Sequence, residues 1–367
     1  MSIRDAITRK RILVLLLAIV TVAAIWRLHP WSRRQPPPPA VQPAPTPPPK
    51  PPAPPKPPRP KPPPAPAFPP GELTRLLSPD GLPRPAATWL EAQIELARRG
   101  FSSGSIDGVG GAQSVAALRA FQENEGLRVT GQLDPDTRAR LALSAPPLTR
   151  LVVAADDLAS LQPLSPTWLG KSQQSSLAYE TVLELVAERA HAHPALIRQL
   201  NPAVNWAAVA PGASLYVPDV GRITVDAKAA EVHISLADHV LEIIDGGGRM
   251  IAHFPVSIAR DVEKRRVGEL HVAVVIPHPN YTFDPDVFPE SDEARELGRK
   301  LILPPGPNNP VGVAWIGLDL QGYGIHGTPS PEQVGRTESH GCFRLANWDA
   351  EVLLGLAWVG LPVYVDP

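Results

Sequence analysis

Residues 339–344 are Ser339-His340-Gly341-Cys342-Phe343-Arg344, and the segment Tyr323-Gly324-Ile325-His326-Gly327 lies shortly before them. Cys342 is the only cysteine among the 367 residues, so it cannot form an intramolecular disulfide. Imidazole is the usual base for removing a proton from a thiol, and glycines let backbone N–H groups approach a substrate closely. The pattern favours a cysteine nucleophile over a small buried apolar residue, which is the commoner role of a lone cysteine.

These residues resemble the signature of the L,D-transpeptidases, the YkuD-type enzymes that cross-link peptidoglycan. His326 and Cys342 lie 16 positions apart, within the spacing that the family uses. The flanking segments 306–312 (Gly-Pro-Asn-Asn-Pro-Val-Gly) and 347–350 (Asn-Trp-Asp-Ala) agree as well. Many members have asparagine where this chain has Arg344, and arginine is the variant of a large bacterial subgroup. The resemblance extends from roughly Glu231 to Val365 and implies a mainly antiparallel β-sandwich.

The resemblance also implies roles for individual residues. Cys342 would be the nucleophile and His326 the base, with its ring oriented by the backbone carbonyl near Gly327. Backbone N–H groups of Gly341 and Cys342 would stabilise an oxyanion, with His340 assisting. Arg344 could pair with a stem-peptide carboxylate. Taken singly, His340 and Ser339 could equally be structural. The predicted oxyanion and substrate-binding residues are His340, Gly341, Ser339, Arg344, Gly327 and Tyr323.

The implied reaction is acyl transfer. Cys342 attacks the carbonyl of the third residue in a donor tetrapeptide stem and expels the terminal D-alanine. A side-chain amine of a neighbouring stem then resolves the thioester, which gives a 3→3 cross-link. If water is the acceptor, the enzyme is an L,D-carboxypeptidase; a non-catalytic wall-binding protein is the other alternative.

Such chemistry needs no cofactor, and the sequence predicts no metal centre. One cysteine and two histidines leave no complete ligand set near the motif, although His253, His271 and His278 occur elsewhere. The net charge of −1 offers no basic excess that could neutralise a phosphate backbone, so nucleic acid is not expected as a partner. The expected partner is peptidoglycan, through both its stem peptides and its glycan strands.

Residues 1–35 are typical of an export signal. Four basic residues precede an apolar run of 15 residues from Ile12 to Trp26, and no small-residue cleavage site follows it. Trp26, Trp31 and the adjacent arginines suit a membrane interface. We therefore expect an uncleaved signal-anchor in the inner membrane, single-pass, with the catalytic domain in the periplasm. A cleaved signal peptide, which would release the chain into the periplasm, is the alternative.

Residues 36–87 are predicted to be a proline-rich disordered linker. Residues 36–70 hold 22 of the chain's 48 prolines. Such a segment cannot fold around a core and favours the extended polyproline II form. At about 3.1 Å per residue it would reach on the order of 100 Å, which suits a tether from membrane to cell wall.

Residues 88–143 are predicted to form three helices. Asp134-Pro135 is a typical helix start, and the turns Asp107-Gly108 and Thr130-Gly131 separate apolar helical segments. The stretch resembles the three-helix peptidoglycan-binding domain, notably at Arg99-Gly100-Phe101 and Ala120-Phe121-Gln122. A helical spacer is the alternative.

Residues 144–175 are predicted to be a second linker, and residues 176–220 a small α/β module. Leu200-Asn201-Pro202 and the ending Leu215-x-Val217-Pro218 resemble a LysM glycan-binding repeat, but the usual Gly-Asp/Glu-Thr opening is missing. This degenerate module could bind glycan or only support the catalytic domain.

Residues 221–367 are predicted to form the catalytic domain. Alternating or continuous apolar residues predict strands at 232–236, 240–244, 250–258, 270–276, 311–316, 323–326 and 362–365. The glycines at 246–248 predict a turn, so the segments before and after them are expected to form a β-hairpin. A charged insertion at 284–300 is predicted to be a surface lid or helix. A helix at 348–358 is predicted with Asn347 as its N-cap. The sequence thus predicts a multidomain α+β protein: a mainly antiparallel β-sandwich catalytic domain preceded by a three-helix domain and a small LysM-like α/β module, with a membrane anchor and proline-rich linker at the N-terminus.

Overall fold

The computed structural model of the protein describes residues 68–221, 227–287, 291–337 and 341–367. The predicted signal-anchor, residues 36–67 of the predicted linker, and Ser339 and His340 lie outside these ranges. Among the described residues, no helix has both the length and the apolar character needed to cross a bilayer. The linker prediction is wrong at its C-terminal end, because Pro70–Leu77 forms helix α1 with Leu76 fully buried.

The three predicted helices of the first module are confirmed. They are α2 (Trp89–Arg98), α3 (Ala112–Asn124) and α4 (Pro135–Arg140). A capping box starts α2: the Glu91 N–H donates to Thr88 Oγ1, and the Thr88 N–H donates back to the Glu91 carboxylate, each at 3.3 Å. Strand β1 (Arg84–Pro85) pairs antiparallel with β2 (Ala142–Leu143), so the module begins before residue 88.

The second module has the order strand, two helices, strand. Strand β3 (Leu148–Val152) pairs antiparallel with β4 (Ser214–Pro218), and α7 (Val182–Arg189) and α8 (Pro194–Leu200) lie between them in sequence. Two short helices, α5 (Ala155–Ala159) and α6 (Trp168–Ser172), precede α7. The prediction of a linker at 144–175 is therefore wrong, because this segment supplies a strand of the module. The proposed LysM identity stays a prediction.

Asn201 explains why the Leu-Asn-Pro sequence suits this position. Its side-chain amide donates to the carbonyls of Ile197 at 2.9 Å and Tyr216 at 2.8 Å, and its Oδ1 accepts the Tyr216 N–H at 2.8 Å. The residue is buried, so these bonds satisfy polar groups that water cannot reach. They tie the end of α8 to β4.

The domain predicted to be catalytic is organised by an eight-stranded mixed sheet. Its strands lie in the order β13-β12-β11-β8-β14-β5-β6-β7. Their bounds are β5 Ala229–Ser235, β6 Val240–Asp245, β7 Met250–Pro255, β8 Gly268–Pro277, β11 Ala314–Leu318, β12 Gly324–His326, β13 Phe343–Arg344 and β14 Pro362–Asp366. The β12/β13 and β14/β5 pairs are parallel, and the other pairs are antiparallel.

The predicted sandwich is replaced by one curled sheet. The first four residues of β8 pair with β14 and its following residues pair with β11, so one long strand joins two halves of the sheet. Ile234 and Phe254 from one half share a buried core with Ile316 and Phe343 from the other. The alternating sequence pattern predicted two strand faces buried in one core, and the structure has such a core. The two faces belong to one sheet, however, because the hydrogen bonding is continuous through all eight strands.

The charged insertion contains the predicted helix, α9 (Asp292–Leu297), which follows a 3₁₀ turn at Pro285–Val287. A two-stranded hairpin of β9 (Tyr281–Phe283) and β10 (Leu301–Leu303) encloses it, and the sequence did not predict these strands. The last helix, α10 (Asn347–Leu356), is confirmed. Asn347 is its first residue rather than its N-cap, a position that Ala346 occupies without a side-chain hydrogen bond.

The modules are packed against one another through buried contacts. Phe101 of the first module forms a β-bridge with His253 of β7, and the Ser102 hydroxyl donates to Asp349 Oδ2 of α10 at 3.0 Å. Gly100 is required beside this bridge, because its φ is +85° and a Cβ there would lie 2.9 Å from the Ile251 carbonyl oxygen. In the second module, His191 stacks on Trp348 with ring centroids 5.0 Å apart.

Candidate active site

The end of β12 and the start of β13 bring the two predicted catalytic residues together. The strands are parallel, with Ile325 opposite Phe343 and His326 opposite Arg344. Ile325 and Phe343 point into the core. Since side chains alternate between the two faces of a strand, Arg344 and His326 share the opposite face. Cys342 directly precedes β13, and the charge of Arg344 acts on both Cys342 and His326.

His326 is buried and held in one orientation. Its side of the sheet is covered by Trp315 of β11, whose ring stacks on the imidazole with centroids 5.6 Å apart. Its Nδ1 lies 2.6 Å from the Gly327 carbonyl oxygen. A carbonyl can only accept, so Nδ1 carries the hydrogen and Nε2 is left as the basic nitrogen. This is the backbone contact that the family resemblance implied.

Burial keeps both reacting groups neutral. It lowers the pKa of His326 to about 4; the Gly327 hydrogen bond opposes this shift and the Arg344 charge adds to it. Burial also raises the pKa of the Cys342 thiol, against smaller opposing effects of a backbone hydrogen bond with Gly324 and the charge of Arg344. Both directions favour the neutral forms, a thiol at Cys342 and an imidazole at His326, over a thiolate–imidazolium pair. Such a site suits general-base catalysis.

Arg344 and Tyr281 are the charged and the neutral polar neighbours of Cys342. The backbone N–H and carbonyl of Arg344 exchange two hydrogen bonds with Ser257, each 2.9 Å long. Its half-buried guanidinium lies close enough to Cys342 and Tyr281 to interact electrostatically with both. Burial, followed by the nearby Cys342, raises the pKa of Tyr281 to about 12. Tyr281 therefore remains a neutral hydrogen-bonding group at physiological pH.

The turn before β12 contacts Cys342. The Cys342 thiol donates to the Gly322 carbonyl at 3.4 Å. The Tyr323 hydroxyl donates to the Lys264 carbonyl, which ties the loop before β8 to the same turn. Tyr323 thus supports the turn that receives the thiol.

The first module contacts the loop that joins His326 to Cys342. The Gln113 side-chain amide donates to the Val334 carbonyl, and Arg336 lies 3.7 Å from Asp107. Next to these contacts, the Gly335 N–H donates to Ser257 Oγ at 2.8 Å.

Asn347 lies at the centre of the polar contacts behind His326. Its Oδ1 accepts the N–H groups of Thr328 at 3.0 Å and Val313 at 3.4 Å. Gly327 and Gly312 leave room for this amide, since a Cβ on either would lie 2.2 Å or 2.1 Å from Asn347 Oδ1. The residue that the sequence suggested as a helix cap instead organises the backbone that follows His326.

Two segments of the chain match known families. Residues 229–365 match the YkuD family, described as the L,D-transpeptidase catalytic domain, and residues 86–141 match a peptidoglycan binding domain family, PG_binding_1. The chain carries a YkuD-family L,D-transpeptidase catalytic domain. The first module is similar to peptidoglycan-binding domains by the same comparison.

Similar proteins carry the same name. A Bacillus licheniformis protein named L,D-transpeptidase YkuD is 26% identical over 188 residues, which are 51% of this chain and 94% of that protein. A Bacillus subtilis protein named L,D-transpeptidase YqjB is 40% identical over 72 residues, which cover 18% of this chain and only 41% of the relative. The solved structure of Mycobacterium tuberculosis L,D-transpeptidase 3 aligns at 18% identity and a TM-score of 0.30, covering 44% of this chain and 77% of that one.

The structure brings some of the predicted site residues together, whereas others lie outside the described residues. His326, Gly327, Cys342 and Arg344 lie together, Gly341 precedes the cysteine directly, and Ser339 and His340 lie outside the described residues. The sequence analysis missed Tyr281 and Asn347 as contributors to the site. Tyr281 lies 61 positions before Cys342 with no motif around it, so only the fold could identify it. Among the described residues, no group of three or more His, Cys, Asp or Glu side chains could hold a metal ion.

Proposed function

We propose that the protein is a cysteine-dependent L,D-transpeptidase that acts on peptidoglycan stem tetrapeptides and forms a thioester at Cys342. The observation that carries this proposal is the pairing of His326 with Arg344 across β12 and β13, with Cys342 directly before β13 and His326 Nδ1 bound to the Gly327 carbonyl. These contacts support a nucleophile, a base with a defined tautomer and a cation within one site.

In the first half-reaction, Cys342 Sγ bonds to the carbonyl carbon of the third stem residue while its proton passes to His326 Nε2. The tetrahedral intermediate carries negative charge on the former carbonyl oxygen. It collapses by breaking the C–N bond to the terminal D-alanine, whose nitrogen takes the proton from Nε2. The product is a thioester and free D-alanine.

In the second half-reaction, a side-chain amine of an acceptor stem attacks the thioester carbonyl. His326 Nε2 removes a proton from that amine, the C–S bond breaks, and the proton returns to Cys342. The result is a 3→3 amide cross-link and a regenerated enzyme. Because the imidazole is neutral at rest, it can serve as base at the start of each half-reaction.

The surrounding groups supply orientation and charge. The N–H groups of Gly341 and Cys342, with His340, stabilise the oxyanion. The guanidinium of Arg344 receives a carboxylate of the stem peptide, since an arginine offers five donors and no acceptor. Tyr281 is neutral and lies close to Cys342 and Arg344, and its hydroxyl can donate to the substrate.

The N-terminal part brings the catalytic domain to its substrate. Residues 1–35 anchor the chain in the inner membrane and residues 36–67 span part of the distance to the wall. The peptidoglycan-binding domain, and a second module that resembles LysM, hold glycan strands. The part of the protein from residue 68 onward should therefore sediment with purified peptidoglycan sacculi, and its retention in the supernatant would show that both modules are spacers.

The central test uses purified protein and a disaccharide-tetrapeptide substrate. We expect a dimeric 3→3 product, release of D-alanine, and an acyl adduct on Cys342 detectable by mass spectrometry. The Cys342→Ala variant, checked for folding by circular dichroism, should give none of these. A tripeptide product without a dimer would identify an L,D-carboxypeptidase. Turnover by Cys342→Ala would eliminate the cysteine mechanism.

A further inference from the structure

The side chain of Asn347 uses its full hydrogen-bonding capacity, and one of its partners belongs to another module. Its Oδ1 accepts from Thr328 and Val313, as described above. Its Nδ2 donates to the Pro307 carbonyl at 3.2 Å and to Glu188 Oε1 at 2.8 Å. An asparagine amide has two donor hydrogens and two acceptor positions, so all four are occupied.

Glu188 reaches this amide from the last turn of α7 in the second module. The same Oε1 also accepts the Tyr179 hydroxyl at 3.1 Å. Both donors are neutral, so the carboxylate is not part of an ion pair with either one.

We propose that Glu188 is a positioning residue for His326, acting through the Asn347 side chain on the segment Gly327-Thr328. This inference rests on the proposed function, since it assigns His326 the role of base. It gives the second module a part in catalysis besides any role in binding glycan.

The geometry explains how one carboxylate can act at a distance. Glu188 requires a donor from Asn347, so the amide nitrogen must face the second module and Oδ1 must face Thr328 and Val313. If the amide rotated, its NH₂ group would meet two backbone N–H groups. The Thr328 N–H is one residue beyond Gly327, whose carbonyl receives His326 Nδ1–H. A fixed amide therefore fixes the carbonyl that orients the base.

The ionisation of Glu188 can be read in a pH profile. Burial, with further contributions from Glu184 and Glu351, raises its pKa to about 7, and the Asn347 and Tyr179 hydrogen bonds partly oppose the shift. A carboxylate accepts more strongly than a neutral carboxyl group. The surrounding titratable groups are Tyr179, Glu184, Glu351, Arg189, which pairs with Asp157 at 2.6 Å, and His191, whose pKa burial lowers to about 4.

The experiment compares Glu188→Ala, Glu188→Gln and the control Glu184→Ala in otherwise intact protein. Glu184 lies one turn earlier on the same helix and contacts Asn308 at 2.5 Å across the same interface, not Asn347. Turnover is measured per active cysteine, titrated by thiol labelling. In parallel, the ¹⁵N signals of the His326 ring report its tautomer without substrate.

We expect Glu188→Ala to lower kcat about tenfold or more, because small displacements of a catalytic group are costly, while KM changes by less than about twofold. Its His326 ring should lose the pure Nδ1–H signature. Glu188→Gln, which keeps an acceptor oxygen, should retain kcat within about threefold and lose the dependence on pH near 7. Glu184→Ala should keep the kcat and the His326 ring signals of the unaltered protein, while its pH dependence near 7 moves to lower pH, because Glu184 helps to raise the pKa of Glu188.

A purely structural role would lower the number of active cysteines or the melting temperature and leave kcat per active site and the His326 signals unchanged. That result overturns the inference, as does an equal loss of kcat in Glu184→Ala. Absence of turnover in the unaltered protein would refute the proposed function instead. The His326 signals of Glu188→Ala would then still decide the inference.

Discussion

Replacement of His326 separates two ways in which an imidazole can activate a thiol. In one, the imidazolium stabilises a thiolate at rest; in the other, the neutral ring takes the proton during attack. The pKa directions at this site, down to about 4 for His326 and up for Cys342, favour the second. His326→Gln is the preferred change, because glutamine fills much of the space beside Trp315 but cannot take up a proton.

The magnitude follows from the role of the base. Positioned acid–base catalysis contributes a factor of about 10²–10⁴, which corresponds to roughly 2.7–5.5 kcal/mol of barrier. We therefore expect His326→Gln to lower transpeptidation by that factor. The thiol itself should behave differently. Because burial raises its pKa, alkylation of Cys342 should reach its midpoint above the pH of an ordinary cysteine, and His326→Gln should not move that midpoint upward.

The assay measures the rate of alkylation of Cys342 by iodoacetamide as a function of pH, with quantification by mass spectrometry, next to turnover on a tetrapeptide. His271→Gln is the control, since this half-exposed histidine of β8 lies outside the candidate site and contacts Asp319 at 3.3 Å. An upward shift of the midpoint by about one unit or more in His326→Gln would refute the neutral pair. Turnover within about tenfold of the unaltered protein would refute the role of base.

Three further predictions concern other parts of the molecule. Arg344→Met should raise KM for a stem that ends in a carboxylate more than for its amidated form, as steady-state kinetics would show; equal changes would contradict carboxylate recognition. Asp349 is fully buried and burial raises its pKa above that of an unfolded aspartate. As pH rises above about 4, the unfolded state therefore ionises first, and the free energy of unfolding falls by up to about 1.4 kcal/mol per pH unit until the folded pKa is reached. Urea unfolding should show a flatter pH dependence for Asp349→Asn, and parallel curves would contradict the assignment. The mature protein should keep residues 1–35 and fractionate with the inner membrane, whereas a soluble form whose N-terminus lies after Trp26 would contradict the anchor.

The helices and strands with strong local signals could be predicted from the sequence. The capping residues and apolar spacing of α2, α3 and α4 are local properties, and so is the alternation along β5, β6 and β8. Short strands such as β9 and β13 could not be predicted, because two or three residues carry too little periodicity. The linker at 144–175 was mispredicted for a related reason: β3 becomes a strand by pairing with β4, more than 60 residues later.

The sequence by itself determined which residues are candidates for a nucleophile and its base. A single cysteine near glycines and two histidines at a family-like spacing restricts the reaction, since few other residue types can supply a thiol and an imidazole. It also indicated, by resemblance, a peptidoglycan-binding type of domain, and the family comparison matches residues 86–141.

Only the tertiary structure decided the protonation states and the supporting contacts. Burial shifts the pKa values of His326 and Cys342 in opposite directions, and burial is a property of the packed chain. Asn347 looked like a helix cap because its neighbours in sequence form a helix, but its amide is used by groups up to 159 positions away. Long-range contacts leave no local pattern in the sequence. The contacts of Glu188 with Asn347 and of Tyr281 with Cys342 could therefore be identified only from the fold.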